Sequence, residues 1–195
     1  EIVTWTPWFG ATQVTRNSLS EQTPSLSGDR LAWASNPEAA DWEAVTATCR
    51  FPVYRFYNVK NGTHFYTDSY LEAAHVSATW PDIYHYEGEA YYTNPANNVQ
   101  PLYRFYNVRN GSHFYTASAT ERDHVIATWS STFHYDGPTY LVNTASVARS
   151  TPVYRFFNLT NGSHFYTASA TERDHVMATW STVYRLEGTA FWIGQ

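Results

Sequence analysis

Apolar and polar side chains alternate on both sides of Asn-Gly pairs in this chain, and Asn61-Gly62 is the first such pair. Alternation of this kind predicts half-buried β-strands. Asn-Gly predicts a two-residue type I′ turn, because both turn residues of that type need a positive φ. We therefore predict a β-hairpin in which Asn61 and Gly62 form the loop and Tyr57 lies opposite Tyr66.

The predicted register divides the side chains of this hairpin between two faces of the sheet. One face combines charged and aromatic side chains, whereas the other is mainly aromatic. The first face carries Arg55, Tyr57, Val59, His64 and Tyr66, and the second carries Tyr54, Phe56, Asn58, Phe65 and Thr67.

A helix-capping pattern follows the hairpin. Ser69 and Glu72 form a Ser-x-x-Glu capping box, which predicts the start of a helix of about eleven residues. Beyond this helix, two short alternating runs flank Glu87-Gly88 and predict a second pair of strands. One unit is thus predicted to run strand, strand, helix, strand, strand.

This unit occurs three times. The Tyr-Arg-Phe motif begins at Tyr54, Tyr103 and Tyr154, so the units follow one another at steps of 49 and 51 residues. We predict a β-rich α+β fold in which three ~50-residue repeats form one compact domain with a pseudo-threefold arrangement. An open row of repeats is the alternative. The predicted repeats are residues 53–101, 102–152 and 153–195.

Residues 1–52 differ from the repeats, since they hold four Trp but no Tyr and no His. Ser, Thr, Gly and Pro are dense from Thr12 to Gly28 and predict a loop. The stretch from Ala34 to Glu38 predicts a short helix start. We expect this Trp-containing segment to cap the array or to fill its centre, because terminal units of repeat proteins need an atypical partner.

The repeated motifs resemble those of a known tandem-repeat family. They are Tyr-Arg-Phe-Tyr-Asn, Asn-Gly-Thr/Ser-His-Phe-Tyr-Thr and Glu-Gly-x-Ala-Tyr/Phe, and the resemblance covers residues 53–195. The family is of uncharacterised function and occurs in secreted bacterial and fungal proteins, often beside hydrolase domains. The resemblance implies an extracellular accessory or binding unit, and it supplies no catalytic residues.

The amino-acid composition excludes several classes of protein. Aromatic residues make up 18% of the chain and charged residues only 15%, which is the opposite of a disordered chain. The formal net charge of −5 argues against nucleic acid, since phosphate binding needs an excess of Lys and Arg. No run of about 18 apolar residues is present, so we predict no membrane insertion.

Catalysis is not indicated, because an enzyme needs one asymmetric site and the acidic residues here occur in triplicate. Capping boxes and turns account for them. We predict no enzymatic activity and no cofactor, and a small hydrolase, for which paired carboxylates could serve glycoside hydrolysis, is the least favoured alternative. The acids assigned to caps are Glu72, Glu121 and Glu172, and those assigned to turns are Glu87, Asp136 and Glu187.

A metal site is a second alternative. Glu72 and His75 lie one helical turn apart, as in carboxylate–histidine metal sites. Helix capping and a hydrogen-bonded His explain the same spacing, so we predict no metal. Three equivalent His side chains around a threefold axis are the arrangement that would contradict this prediction.

We predict a carbohydrate-binding protein, a lectin with up to three similar glycan sites, one for each repeat. Aromatic rings offer a platform for sugar C–H groups, Arg, His and Tyr supply hydrogen bonds, and repetition raises avidity. Phe and Trp residues are assigned to the core. The predicted ligand-binding residues are Arg55, Tyr57, His64 and Tyr66; Arg104, Tyr106, His113 and Tyr115; and Arg155, His164 and Tyr166.

The third repeat departs from the other two. Phe157 replaces a Tyr, and Arg185 replaces a His. We expect its site to differ in affinity. The predicted partner is a glycan or a cell-wall polysaccharide, and the predicted location is secreted or extracellular. The alternative is a non-catalytic protein-interaction or cell-wall-targeting module.

Overall fold

The computed structural model divides the chain into two compact units, residues 1–50 and 51–195. In the first unit it describes five strands and residue 50. In the second unit it describes residues 51–94 and 97–194.

The first unit contains two small antiparallel sheets. β1 pairs with β2, and β3, β4 and β5 pair in chain order. The strands are β1 (Val3–Thr6), β2 (Gly10–Gln13), β3 (Ser25–Ser27), β4 (Arg30–Ser35) and β5 (Glu43–Thr48).

Two predictions for this unit need correction. The predicted loop from Thr12 to Gly28 is wrong at its ends, where β2 and β3 lie. The predicted helix start is wrong at Ala34 and Ser35, which belong to β4, and its residues 36–38 lie outside the described residues. Ala34 and Ser35 pair with Ala44 and Glu43 of β5, and this tertiary pairing outweighs a weak local helix signal.

The second unit repeats one order of elements three times. The helices have ten or eleven residues, and no helix in the described part of the chain is long and apolar enough to cross a membrane. The first repeat contains β6 (Phe51–Asn58), β7 (Thr63–Thr67), α1 (Tyr70–Thr79) and β8 (Tyr84–Thr93). The second contains β9 (Gln100–Asn107), β10 (His113–Thr116), α2 (Ala119–Trp129) and β11 (Phe133–Val142). The third contains β12 (Ser150–Asn158), β13 (His164–Thr167), α3 (Ala170–Thr179) and β14 (Tyr184–Gly194).

Each repeat forms its own antiparallel sheet of three strands, with the first strand in the middle. The orders are β7-β6-β8, β10-β9-β11 and β13-β12-β14. The predicted β-rich α+β fold of three similar units is thus confirmed, but the predicted fourth strand is wrong. Arg55 pairs with Gly88 and Phe56 pairs with Tyr86, so Glu87 is an extra residue in a β-bulge within one continuous strand.

The hairpin loops contain four residues, so the predicted two-residue turn is wrong. In the first repeat the loop is residues 59–62, and among these described residues only Gly62 has a positive φ, of 70°. Asn58 builds the wider turn, because its side-chain Oδ1 accepts the Lys60 N–H at 3.0 Å and its carbonyl accepts the Gly62 N–H at 2.9 Å.

The longer loop shifts the hairpin register by two residues. Tyr57 lies opposite His64, and Arg55 lies opposite Tyr66. Because side chains alternate between the two faces with a period of two, this shift leaves every side chain on its predicted face. The other two hairpins have the equivalent register.

The predicted helix start is confirmed, but only half of the capping box forms. Ser69 Oγ accepts the Glu72 N–H at 3.2 Å. The Ser69 N–H donates to Thr67 Oγ1 at 3.0 Å instead of to the Glu72 carboxylate. That carboxylate is therefore available for a contact outside its own helix.

Three buried tyrosines close the repeats into a ring. The Tyr115 hydroxyl donates to the Tyr66 carbonyl at 2.8 Å and accepts the Tyr66 N–H at 3.0 Å. Tyr166 binds the backbone of Tyr115 in the same way, and Tyr66 binds the backbone of Tyr166. The cycle shows a closed pseudo-threefold arrangement and not an open row.

These hydroxyls bind backbone groups at one edge of each sheet. β7, β10 and β13 are edge strands, and an edge strand presents backbone groups without partners in its own sheet. One tyrosine hydroxyl from a neighbouring repeat satisfies both an N–H and a C=O. Around this cycle lies the central core, which includes Val53, Leu102 and Val153.

We expect Tyr115→Phe to lower the free energy of unfolding by about 2–4 kcal/mol, because each buried donor or acceptor left unpaired costs about 1–3 kcal/mol. Urea unfolding measures the change. The control is Tyr86→Phe, whose side chain is 46% exposed, and we expect its effect to stay within about 0.5 kcal/mol. Equal effects of the two variants would contradict a stabilising role for the cycle.

Candidate functional site

Three equivalent grooves lie where consecutive repeats meet in the described part of the chain. One wall is the helix side of one repeat, and the other is the charged and aromatic hairpin face of the next. We number each groove by the repeat that supplies this face. The first groove lies between Tyr57 and α3, the second between Tyr106 and α1, and the third between Phe157 and α2, with volumes of about 430, 480 and 660 Å³.

An arginine joins the two repeats at each groove. In the second groove, the Arg104 guanidinium donates to both Glu72 carboxylate oxygens at 2.9 and 3.0 Å, and its Nε lies 3.1 Å from Asp136 Oδ2. Glu72 belongs to the preceding repeat, and Asp136 belongs to the bulge of the same repeat. The corresponding contacts are Arg155 with Glu121 and Glu187, and Arg55 with Glu172 and Glu87.

This network corrects the roles that sequence patterns assigned to the acids. The Glu72 carboxylate is not a cap, since it binds an arginine 32 residues away. Glu87 does not precede a turn, since the bulge at Gly88 directs it towards Arg55, with 2.8 Å between the Glu87 oxygen and Nε. Bulges commonly re-aim a side chain in this way.

Glu72 and Glu87 of this network are ionised at neutral pH. Burial opposes ionisation of Glu72, but hydrogen bonds from Arg104 and Thr67 outweigh it and lower the pKa of this carboxyl below its usual value. Burial likewise opposes ionisation of Glu87, and contacts with His64 and Arg55 outweigh it and lower its pKa. Both carboxylates therefore act as hydrogen-bond acceptors and not as proton donors.

A histidine ring lies close to each arginine. The His113 ring centroid is 4.8 Å from that of Phe65 in the preceding repeat and 5.3 Å from that of Tyr106. Burial, together with the positive charge of Arg104, lowers the pKa of His113 from 6.5 to about 4. The same causes, with Arg155 as the charge, lower the pKa of His164 to about 4. Both imidazoles are therefore neutral at pH 7.

Exposed tryptophans form the rim of the grooves. Trp80, Trp129 and Trp180 line the second, third and first grooves, and their side chains are 41%, 49% and 47% exposed. The assignment of these tryptophans to the core is wrong. Val76 is buried and precedes Trp80 by four residues, so helical periodicity predicts the same buried face. The helix ends at Thr79, however, and the non-helical backbone of Trp80 (φ −131°, ψ 51°) breaks that periodicity. Trp180 follows α3 in the same way, whereas Trp129 is the last residue of α2.

The predicted ligand-binding residues divide into three groups. Tyr57 and Tyr106 line their grooves, as do His64, His113 and His164. The arginines sit in the ion pairs that join the repeats. Tyr66, Tyr115 and Tyr166 lie on the pseudo-threefold axis with 1% exposure and with their hydroxyls engaged, so they do not face a groove.

The Glu and His residues of the alternative metal site are not grouped as metal ligands in the described part of the chain. Among residues 50–94 and 97–194, no three His, Cys, Asp or Glu side chains form a group that could hold a metal ion. The axis is filled by the tyrosine cycle. Glu72 and His75 both line the second groove, but Glu72 binds Arg104, and His75 Nδ1 lies 3.4 Å from Thr79 Oγ1.

Fold and site together define a class of protein: a ring of three β-rich repeats with a charged and aromatic groove at each junction. The chain belongs to the family described as "Domain of unknown function (DUF5648)", whose profile matches residues 20–99 and 52–194. The predicted resemblance to a family of uncharacterised function is consistent with this match, which also reaches upstream of residue 53. No curated protein and no solved structure matches the chain.

We expect acid to destabilise the protein between about pH 6.5 and pH 4. Because the pKa of His113 and of His164 is about 4 in the folded state and about 6.5 in the unfolded state, the unfolded state takes up protons first as the pH falls. Stability is therefore full above pH 6.5 and falls by up to about 1.4 kcal/mol per pH unit for each histidine. The loss ends as the pH reaches the folded pKa.

Urea unfolding of the wild type and of His113→Gln over this pH range measures the effect. We expect a clearly shallower pH dependence in the variant, whatever its stability at pH 7. Parallel profiles for the two proteins would show that His113 is not held neutral by its surroundings.

Proposed function

We propose that this protein is a lectin that binds saccharides in the three grooves between its repeats. The observation that carries the proposal is the combination at each groove of a half-exposed tryptophan and a fixed network of charged hydrogen-bonding groups. We further propose that the protein acts in a secreted or extracellular setting, where glycans and cell-wall polysaccharides are its partners.

The aromatic side chains suit the apolar side of a sugar. Trp80 meets the His75 ring at a centroid distance of 5.3 Å in an edge contact, which holds the indole at the rim of the second groove. Tyr106 forms the opposite wall and is 38% exposed. A pyranose ring placed between them would cover both surfaces, and rigid aromatic anchors of this kind dominate many binding sites.

The charged groups of the site suit the hydroxyl groups of a sugar. Glu72, which lines the second groove, keeps acceptor capacity beyond its bonds to Arg104, because an ionised carboxylate has about four lone-pair sites. Its position is fixed before a ligand arrives, so binding costs little ordering of side chains. Hydrogen bonds to charged groups are also about twice as strong as neutral ones.

The same network favours binding over hydrolysis. A glycoside hydrolase needs a carboxylic acid with a raised pKa as its proton donor. Glu72 and Glu87 have lowered pKa values because arginine and histidine contacts outweigh the effect of burial. We therefore propose a non-catalytic protein in which three weak sites act together through avidity.

A second candidate function, protein interaction, is favoured by one observation. The hairpin loops begin with exposed aliphatic residues at equivalent positions: Val59, Val108 and Leu159 are 54%, 56% and 51% exposed. Capture of a protein partner that free sugars do not displace would favour this function over the lectin.

We expect the Trp80→Ala, Trp129→Ala, Trp180→Ala triple variant to lose the agglutination shown by the wild type, and each single variant to weaken glycan binding about tenfold at its own groove. A glycan array followed by titration with the best neutral oligosaccharide measures this. The matched control is Leu71→Ala, which removes a 64% exposed side chain from α1 that does not line the second groove.

Urea unfolding of each variant checks that the fold is retained. Wild-type protein that binds no glycan or cell-wall polysaccharide would overturn the proposal. Binding that survives in the folded triple variant would place the site elsewhere.

A further inference from the structure

We propose that the third groove is a separate specificity site for carboxylate-bearing saccharides, such as uronic acids. The proposal rests on the proposed lectin function and goes beyond it, since it assigns one groove a different class of ligand. Two residues found only in the third repeat, Phe157 and Arg185, carry the inference.

Phe157 and Arg185 are direct cross-strand neighbours and form one local surface. They are paired in register between β12 and β14, and the Arg185 guanidinium carbon lies 5.3 Å from the centre of the Phe157 ring. At the corresponding pairs of the other repeats, a tyrosine lies opposite a histidine. The third repeat thus replaces a hydroxyl and an imidazole with a guanidinium stacked on an apolar ring.

The Arg185 guanidinium has N–H donors that can bind a ligand. Its side chain is 62% exposed, and its contact with Glu187 is long, at 3.5 Å. The same glutamate is already held by Arg155, whose Nε lies 2.8 Å away. A guanidinium carries five N–H donors, so most of those on Arg185 are available. Stacking on Phe157 also fixes the plane in which they point.

The charge around the third groove differs in sign from that of the other two. Arg109, Arg155 and Arg185 line it with only two glutamates, which leaves one net positive charge. One arginine and two glutamates line the first groove, and the only fully charged residue lining the second is Glu72, so each carries one net negative charge. Histidines are counted as neutral in this comparison.

Arg155 is committed to both glutamates of the third groove, through its bonds to Glu121 and Glu187. Arg185 and Arg109 are therefore the cations that an incoming group would meet. Arg109 is exposed, and no ion pair joins it to another residue in the described part of the chain. A planar carboxylate matches a guanidinium in a two-point contact, and the groove's volume of about 660 Å³ leaves room for the extra group.

The tryptophans allow each groove to be observed separately. The indole N–H signals of Trp180, Trp80 and Trp129 in a ¹H–¹⁵N NMR spectrum report on the first, second and third grooves. The probes are methyl β-D-glucuronide and methyl β-D-glucoside, the corresponding galacturonide and galactoside, and sodium acetate. We expect the Trp129 signal to respond to a uronide at a concentration at least tenfold lower than to its neutral partner.

Arg185→His gives the third repeat the residue that the other two repeats have at this position. We expect this variant to lose the tenfold preference at Trp129 and to leave the Trp80 and Trp180 signals unchanged. Arg149→His is the matched control, because it removes an exposed arginine that lines none of the three grooves. The Tyr106→Phe, His134→Arg double variant should gain the preference at Trp80.

The outcomes separate this inference from the lectin proposal. Neutral glycans that bind without a uronide preference at Trp129, or a preference that persists in Arg185→His, would overturn this inference alone. Acetate as effective as a uronide would show a simple anion site and would also overturn it. Absence of binding by any glycan at any indole would overturn both proposals.

Discussion

Each tyrosine hydroxyl on the pseudo-threefold axis donates to one backbone carbonyl and accepts from one backbone N–H of a neighbouring repeat. A sheet of three strands has two edges, and in this protein the inner edge is buried where the repeats meet, so its backbone groups need partners from outside their own sheet. Tyr66, Tyr115 and Tyr166 supply these partners together. The tyrosines can be buried only when the ring is closed, because no single repeat supplies hydrogen-bond partners for the backbone groups of its own edge strand.

The grooves follow from this closure. Once the repeats are held edge to edge on the axis, the hairpin face of one repeat meets the helix of the previous one. Charged side chains at such a meeting point must be paired or they would be buried at high cost. Arg104 meets that demand by binding Glu72 across the junction and Asp136 within its own repeat. Structural pairing thus leaves preformed carboxylate and guanidinium groups at each junction between repeats.

Much of the fold could be predicted from alternation, spacing and capping signals, because these report local geometry. The predicted loop was two residues too short, but the assignment of side chains to the two faces of the hairpin is still correct. The register moves by two residues, and side chains alternate between the faces with the same period. The fourth strand was a wrong prediction because Glu87-Gly88 fits a bulge as well as it fits a turn. Gly88, with a φ of 100°, adopts the same positive region that a turn would need.

The site was harder to predict, because its contacts join residues far apart in the chain. Nothing near Glu72 in the sequence indicates that Arg104 is its partner, and a capping box offered a local explanation for the same carboxylate. Tyr66 and Tyr57 lie on the same face of one hairpin, yet the first reaches the axis and the second reaches a groove. Only the packing of three repeats separates these two roles, and no pattern within one repeat contains that information.

The closing junction of the ring differs from the other two in chain distance. Arg55 and Glu172 are 117 residues apart, whereas the corresponding pairs at the other junctions are separated by 32 and 34 residues. The loop-closure entropy for the longer separation is greater by about 1 kcal/mol. During synthesis, the second and third grooves can form between neighbouring segments as they emerge from the ribosome. The first groove waits until α3 has been made, so a chain truncated before this helix would keep all three hairpins but lack the helical wall of the first groove.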